Sequence, residues 1–223
     1  DSFIPGSIDY HTTDGTPRWV IALRDYVRYT GDRSIVAELY PNVQASIEGA
    51  LANFTDAAGY PVHTDNETWM DARREPDKVS YSPRSTRAND IQALWYEQLR
   101  AGADFATALG DEESATRWSV AADRLRNRFA QDFMDPATGR MADHLDARDV
   151  PNLQVRPNLQ VRPNLLFSLQ LLDQPADAAR AARQAWEALV YPWGVATLDP
   201  GDPGFHPYHL APEHYHKDAA YHN

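Results

Sequence analysis

Apolar residues recur at helical spacing through most of the chain, and no segment alternates as a strand over five or more residues. Ile91, Trp95, Leu99, Gly102, Ala106 and Leu109 make a stripe of apolar or small side chains, as expected of a helix with one face on a core. Gly110 ends it, and Asp111 can cap a following helix whose face is Trp118, Ala122, Leu125, Phe129 and Phe133. The same arrangement stands earlier in the chain. A helix from Pro17 carrying Trp19, Leu23, Tyr26, Val27 and Thr30 stops at Gly31. Asp32 can cap the next, lined by Ile35, Leu39, Val43, Ile47, Leu51 and Phe54, with Pro41 placed to kink or split it. A third pair, Leu165 to Leu172 and Ala176 to Leu189, is divided by Asp173-Gln174-Pro175.

The pattern therefore predicts an all-α chain of three helical hairpins with short turns and long intervening segments. Hairpins packed side by side put every short turn at one end. Segments 1–16, 55–87, 134–163 and 190–223 then converge at the other, and long loops on a helical scaffold are where function is expected. In the third of these, Pro151-Asn152-Leu153-Gln154-Val155-Arg156 is repeated at once as 157–162, followed by Pro163-Asn164-Leu165. Two copies of six residues are too short for a solenoid and read as a local duplication inside a loop.

Composition narrows the partners. The 223 residues are 43% hydrophobic with a net charge of −11, which supports one globular unit and disfavours nucleic acid or an anionic membrane surface. No apolar run is long enough to span a bilayer, and the first residues lack a leader's basic-then-apolar pattern. With no cysteine there are no disulfides and no thiolate chemistry, which fits the cytoplasm.

Candidate chemistry lies in the loop before the 91–109 helix. Thr64-Asp65-Asn66-Glu67-Thr68-Trp69-Met70-Asp71-Ala72 gathers Asp65, Glu67 and Asp71 around Trp69. On the residues alone Asp71 reads equally as a turn cap or a catalytic acid, and Trp69 as a buried ring or a platform for the apolar face of a pyranose. Asp14, Arg84, Arg87 and Asn89 are candidate partners for sugar hydroxyls, with solvated or capping roles as the alternative. The terminal loop carries His206, His209, His214, His216 and His222 among aromatic residues. Their spacings could chelate, but no helical ligand motif accompanies them, and a saccharide-lining loop including Trp193, Tyr208, Asp218 and His222 is the preferred reading. No metal and no cofactor is expected, and phosphate-loop, nucleophile-elbow and dinucleotide motifs are missing from the sequence.

Thr68-Trp69-Met70-Asp71-Ala72, Pro83-Arg84-Ser85, Ala93-Leu94-Trp95-Tyr96, Arg162-Pro163-Asn164 and the closing Asp218-Ala219-Ala220-Tyr221-His222-Asn223 together resemble the amylo-α-1,6-glucosidase domain of glycogen debranching enzymes. The resemblance implies an (α/α)6 toroid of six hairpins, of which residues 1–223 would form a single partial domain, with the remainder of the toroid as a partner. It implies an inverting hydrolase that removes α-1,6-linked glucose from debranched glycogen, with Asp71 as general acid. In the family the second carboxylate follows shortly after Tyr-His-Asn, so the base is expected beyond Asn223. Asp199, Asp202, Glu213 and Asp218 are possible stand-ins, and residues 1–223 alone are expected to be inactive. Departures stand at Asp90, where the family usually has Glu, and at Gln92, Leu165 and Ala196. Another toroid glycosidase of glucoamylase, trehalase or processing α-glucosidase type, or a catalytically silent glucan-binding module, are the alternatives.

Overall fold

A computed structural model describes residues 12–74, 77–146, 160–208 and 217–222. Five α-helices run in chain order: α1 (Gly15–Thr30), α2 (Ser34–Asn53), α3 (Asn89–Leu109), α4 (Glu112–Phe133) and α5 (Pro175–Leu189). A 3₁₀ helix occupies Pro163–Leu171 and a short one Lys217–Ala220. Two small antiparallel pairs complete the architecture: β1 (Arg87–Ala88) with β2 (His144–Leu145), and β3 (Val190–Tyr191) with β4 (Gly194–Val195).

The helices pair as the sequence predicts. Gly31 and Gly110 close α1 and α3 in the left-handed conformation, φ 73° and 81°, which glycine adopts without a Cβ penalty. The Asp111 carboxylate accepts the Ser114 N–H at 3.1 Å, and Asp32 accepts that of Ser34 at 3.0 Å. The third hairpin differs from expectation. Its first arm is 3₁₀ because Leu165, Ser168 and Leu171 fall three apart, the spacing that puts them on one buried face of a three-residue turn. Pro41 does not split α2, since Val36 before it and Val43 and Ile47 after it are all buried in the core. Phe54, expected on that face, is the C-cap and is 61% exposed. In α1 the buried positions are Val20 and Leu23, whereas Trp19 and Tyr26 lie at the rim.

α3 is the centre. Fifteen of its 21 residues are buried, so it is covered nearly all round rather than along one stripe. It packs against α1, α2, α4 and the 3₁₀ segment, which in turn packs on α5. Leu109, the last of the predicted stripe, is exposed beside the turn. The described hairpins form an open array, an incomplete helical toroid with no closed ring among the described residues.

The long segments meet at the end opposite Gly31 and Gly110. The Thr13 N–H donates to Glu67 O at 2.7 Å, His63 N–H to Thr86 O at 3.0 Å, Thr86 N–H to Leu145 O at 2.9 Å and Asp199 N–H to Val161 O at 3.0 Å. Four loops are thereby joined in one layer over the N-terminus of α3. The copies of the hexapeptide repeat lie largely outside the described residues, which resume at Gln160.

The tightest helix contact sits at Gly102, where an added Cβ would lie 2.3 Å from Ile47 Cδ1 and 3.0 Å from Trp118 Cε3. Alanine would raise helix propensity by about 1 kcal/mol, but overpacking costs about 1–3 kcal/mol, and both neighbours are fully buried and have no room to yield. Gly102→Ala is therefore expected to be net destabilising by about 1–2 kcal/mol. A urea midpoint equal to or above wild type would refute this packing.

Candidate active site

The loop from Thr64 to Ala72 is built from its own carboxylates. Glu67 Oε2 accepts the Thr64 N–H at 2.6 Å, and Asp65 Oδ1 accepts the Ser85 N–H at 2.7 Å, so two of the three acids hold backbone. Asp71 is exposed, and among the described residues its carboxylate has no hydrogen-bond or ion-pair partner. Burial alternates here: Thr68 and Met70 are each 1% exposed, while Trp69 and Asp71 both face solvent. The chain then turns out in a hairpin, with Tyr81 N–H donating to Ala72 O at 3.0 Å and Arg74 N–H to Val79 O at 2.7 Å. Asp71 stands at its base.

His63 ties the loop to the helix. Its Nε2 accepts the Ala88 N–H at 3.0 Å, which leaves Nδ1 as the protonated nitrogen facing Thr64 O at 2.9 Å. Burial holds this imidazole below its ordinary value of 6.5.

Beneath the loop is a buried polar network. The Arg84 guanidinium, 0% exposed, grips Asp143 with Nε to Oδ2 at 2.7 Å and Nη2 to Oδ1 at 3.0 Å. Its Nη2 also donates to Asp90 Oδ1 at 2.8 Å. The other Asp90 oxygen accepts from Trp69 Nε1 at 3.0 Å and Asn164 Nδ2 at 2.8 Å. His144 Nδ1 lies 3.2 Å from Asp143 Oδ2. Burial alone would raise both carboxyls. Only together do the charge and hydrogen bonds of Arg84, with His144 at Asp143 and Trp69 at Asp90, outweigh that burial, and both stay below the usual carboxylate range. On the outer side His222, 2% exposed, meets Trp69 edge-on with centroids 5.5 Å apart. Its carbonyl accepts from Arg162 Nη1 at 2.6 Å.

Several expected sugar-contacting residues are placed elsewhere. Arg84 and Asn89 are closed to solvent, and Asn89 Nδ2 donates to Ala142 O at 3.0 Å, so both support the site from behind. Arg87 is an ion-pair partner of Asp56 at 2.6 Å. Asp14 is 7% exposed and pairs with Arg18 at 3.3 Å instead of capping α1 with its side chain. Trp69 and His222 do come together, and Trp193 and Tyr208 are exposed, Trp193 stacking on Tyr191 at 5.6 Å. The side chain of Asp218 lies outside the described residues, as do His209, Glu213, His214 and His216. Asp90, Asp143, Asn164 and Arg162 were not singled out as site residues. The Arg-Pro-Asn motif carried the signal for two of them, Asp90 was marked only as a departure from the family's usual Glu, and nothing local marked Asp143. Among the described residues no group of three or more His, Asp or Glu side chains is placed to hold a metal ion, and no helix is long and apolar enough to cross a membrane.

An open array of helical hairpins with an acid-bearing loop layer at one end defines the class: a toroid scaffold of the kind solved glycosidases use. The rhamnosidase from Klebsiella oxytoca with rhamnose bound is 18% identical at a TM-score of 0.60, covering 83% of this chain and 33% of its own. The GH78 family rhamnosidase of Bacillus sp. GL1 is also 18% identical at 0.60, over 82% of this chain and 18% of its own. A sialidase is 14% identical at 0.63, over 86% and 16%. This chain thus spans about a third or less of each structure. No curated protein matches the sequence. The amylo-alpha-1,6-glucosidase family model matches residues 5–223, and the chain belongs to that family.

Two outcomes follow from the network. Arg84→Met strands two buried carboxylates and is expected to lose about 3–5 kcal/mol of stability, measured by chemical denaturation; a loss below about 1 kcal/mol would contradict the assigned pairing. His63 favours its neutral form in the fold, so the unfolded chain takes up the proton first. The stability it contributes is complete above pH 6.5 and is lost as pH falls below that value toward the lowered folded one. The urea midpoint should therefore drop between pH 7.5 and 5.5, and less so in His63→Gln, which keeps an acceptor for Ala88. An equal drop in both proteins would remove His63 as the cause.

Proposed function

We propose that the chain carries the acid side of the active site of an inverting glycosidase that removes α-1,6-linked glucose from debranched glycogen or limit dextrin. The observation that carries this reading is Asp71: exposed, without a partner among the described residues, and next to Trp69 in a loop whose other two carboxylates are engaged by backbone. Family membership supports the reaction type and the α-glucan substrate.

In this mechanism Asp71 protonates the departing glycosidic oxygen as the bond breaks, and a second carboxylate activates water on the opposite face of the ring. Inversion requires the two carboxyls about 6.5–9.5 Å apart. Trp69 offers an apolar surface to the pyranose. Asp90 and Asp143 are excluded as the base because both are buried against Arg84. Asp199 and Asp202 accept the N–H groups of Gly201 at 2.9 Å and Gly204 at 2.8 Å and close their own turns. The reading assigns the base to residues outside those described: Glu213, Asp218 or a segment following Asn223.

In the full-length protein that carries this chain, Asp71→Asn is expected to lower glucose release from limit dextrin by about a thousandfold while binding of the dextrin is kept. Turnover undiminished in that variant ends the assignment of Asp71. Preferential release from α-1,4 or α,α-1,1 glucosides by the full-length protein would place it with another toroid glycosidase, and dextrin binding by that protein without turnover would make it a glucan-binding module.

A further inference from the structure

We propose that Asp90 is the positioning residue of Trp69, fixing the plane of the aromatic surface beside Asp71 against which a glucosyl ring packs. The inference rests on the glycosidase reading for its ligand, and on the hydrogen-bond geometry alone for its placement of the ring.

Trp69 is 37% exposed, so its N–H had water available, yet it is turned inward onto a carboxylate that is itself 1% exposed. Taking an ionised carboxylate out of water is costly unless donors surround it. Asp90 has three: Arg84 Nη2 on one oxygen, Trp69 Nε1 and Asn164 Nδ2 on the other. Arg84 is buried and anchored to Asp143, and Asn164 is buried and comes from 74 residues away, so Asp90 cannot follow Trp69 if the indole swings. The indole must instead conform to Asp90. His222 closes the second side edge-on, and Asn164 Nδ2 reaches Met70 Sδ at 3.7 Å, fixing the residue between Trp69 and Asp71. An indole held at its N–H edge and against one ring leaves a preset surface, and a ring that need not be ordered on binding gains affinity by that amount. Asp90 never touches substrate in this arrangement; it acts through Trp69.

The substitution Asp90→Asn keeps the shape but replaces one acceptor oxygen with an NH₂, and with the charged Arg84 holding the remaining oxygen the NH₂ faces Trp69 and Asn164, which must withdraw. Trp69→Phe keeps a ring and removes the donor. In the full-length protein each is expected to lower kcat/KM on limit dextrin by about tenfold, mainly through KM, and the double variant by about the same tenfold rather than their product. With 5-fluorotryptophan at the six tryptophans, the Trp69 ¹⁹F line, identified by its loss in Trp69→Phe, should move in Asp90→Asn more than the other five. Should Asp90→Asn fail to fold, Asn164→Ala removes one donor from the same oxygen, leaves both charges paired, and should move the same line. Multiplying losses in the double variant, or an unmoved Trp69 line, overturns the proposal. Absence of glucosidase turnover in the full-length protein would sink the glycosidase reading, and the ¹⁹F line would still decide the positioning.

Discussion

The pairing of one buried guanidinium with two buried carboxylates is the constraint on which the loop layer depends. Removing three ions from water costs several kcal/mol each, and attraction at an effective dielectric near 20 returns about 4 kcal/mol per contact, so the cluster comes close to cancelling as a source of net stability. Its value is geometric. Arg84 reaches Asp143 in the segment after α4 and Asp90 in the first turn of α3, and neither pairing survives a shift of those elements. The surplus negative charge is offset by position: Asp90 lies at the positive end of the α3 dipole, and the buried Arg162 feels both carboxylates.

Much of the scaffold was legible because helices announce themselves locally. Gly31, Gly110 and Asp111 mark ends that the structure keeps, and the Trp118 to Phe133 face is buried throughout. The 3₁₀ arm was read as an α-helix because leucine-rich runs of nine residues fit either period, and the choice was made by what Leu165, Ser168 and Leu171 pack against. The site was legible in part. An acid beside a tryptophan in a polar loop is a local pattern, and so Asp71 and Trp69 stood out. The network was not, since Arg84 lies 59 residues from Asp143 and Asn164 lies 74 from Asp90, and such pairings leave no periodicity. Arg84 and Asn89 stand in the sequence as candidate sugar contacts, or as solvated or capping residues, for the same reason: a polar residue in a loop reads as exposed until the other loops close over it.

The three loop carboxylates show how one residue type is divided among tasks. Asp65 and Glu67 each face a backbone N–H and so become part of the wall. Asp71 falls past the last bend, at the mouth of the 72–81 hairpin, where no backbone donor is turned toward it among the described residues. Availability for chemistry here is thus a consequence of where the local hydrogen bonds run out.

The same reasoning separates scaffold from specificity. Structures at 14–18% identity share the hairpin array, including rhamnosidases and a sialidase, so the helices alone do not select a sugar. Under the proposed function, selection falls to the loop layer, and within it to groups that are both exposed and fixed. Trp69 meets both conditions, being open on its surface and tied at its N–H, whereas Trp193 is 84% exposed on a hairpin of two-residue strands, a unit with little independent stability. A rigid ring discriminates among sugars because a poor fit cannot be relieved by moving it. A mobile one accepts many shapes and ranks them weakly. In the proposed reading the buried network bears on substrate choice without facing the substrate.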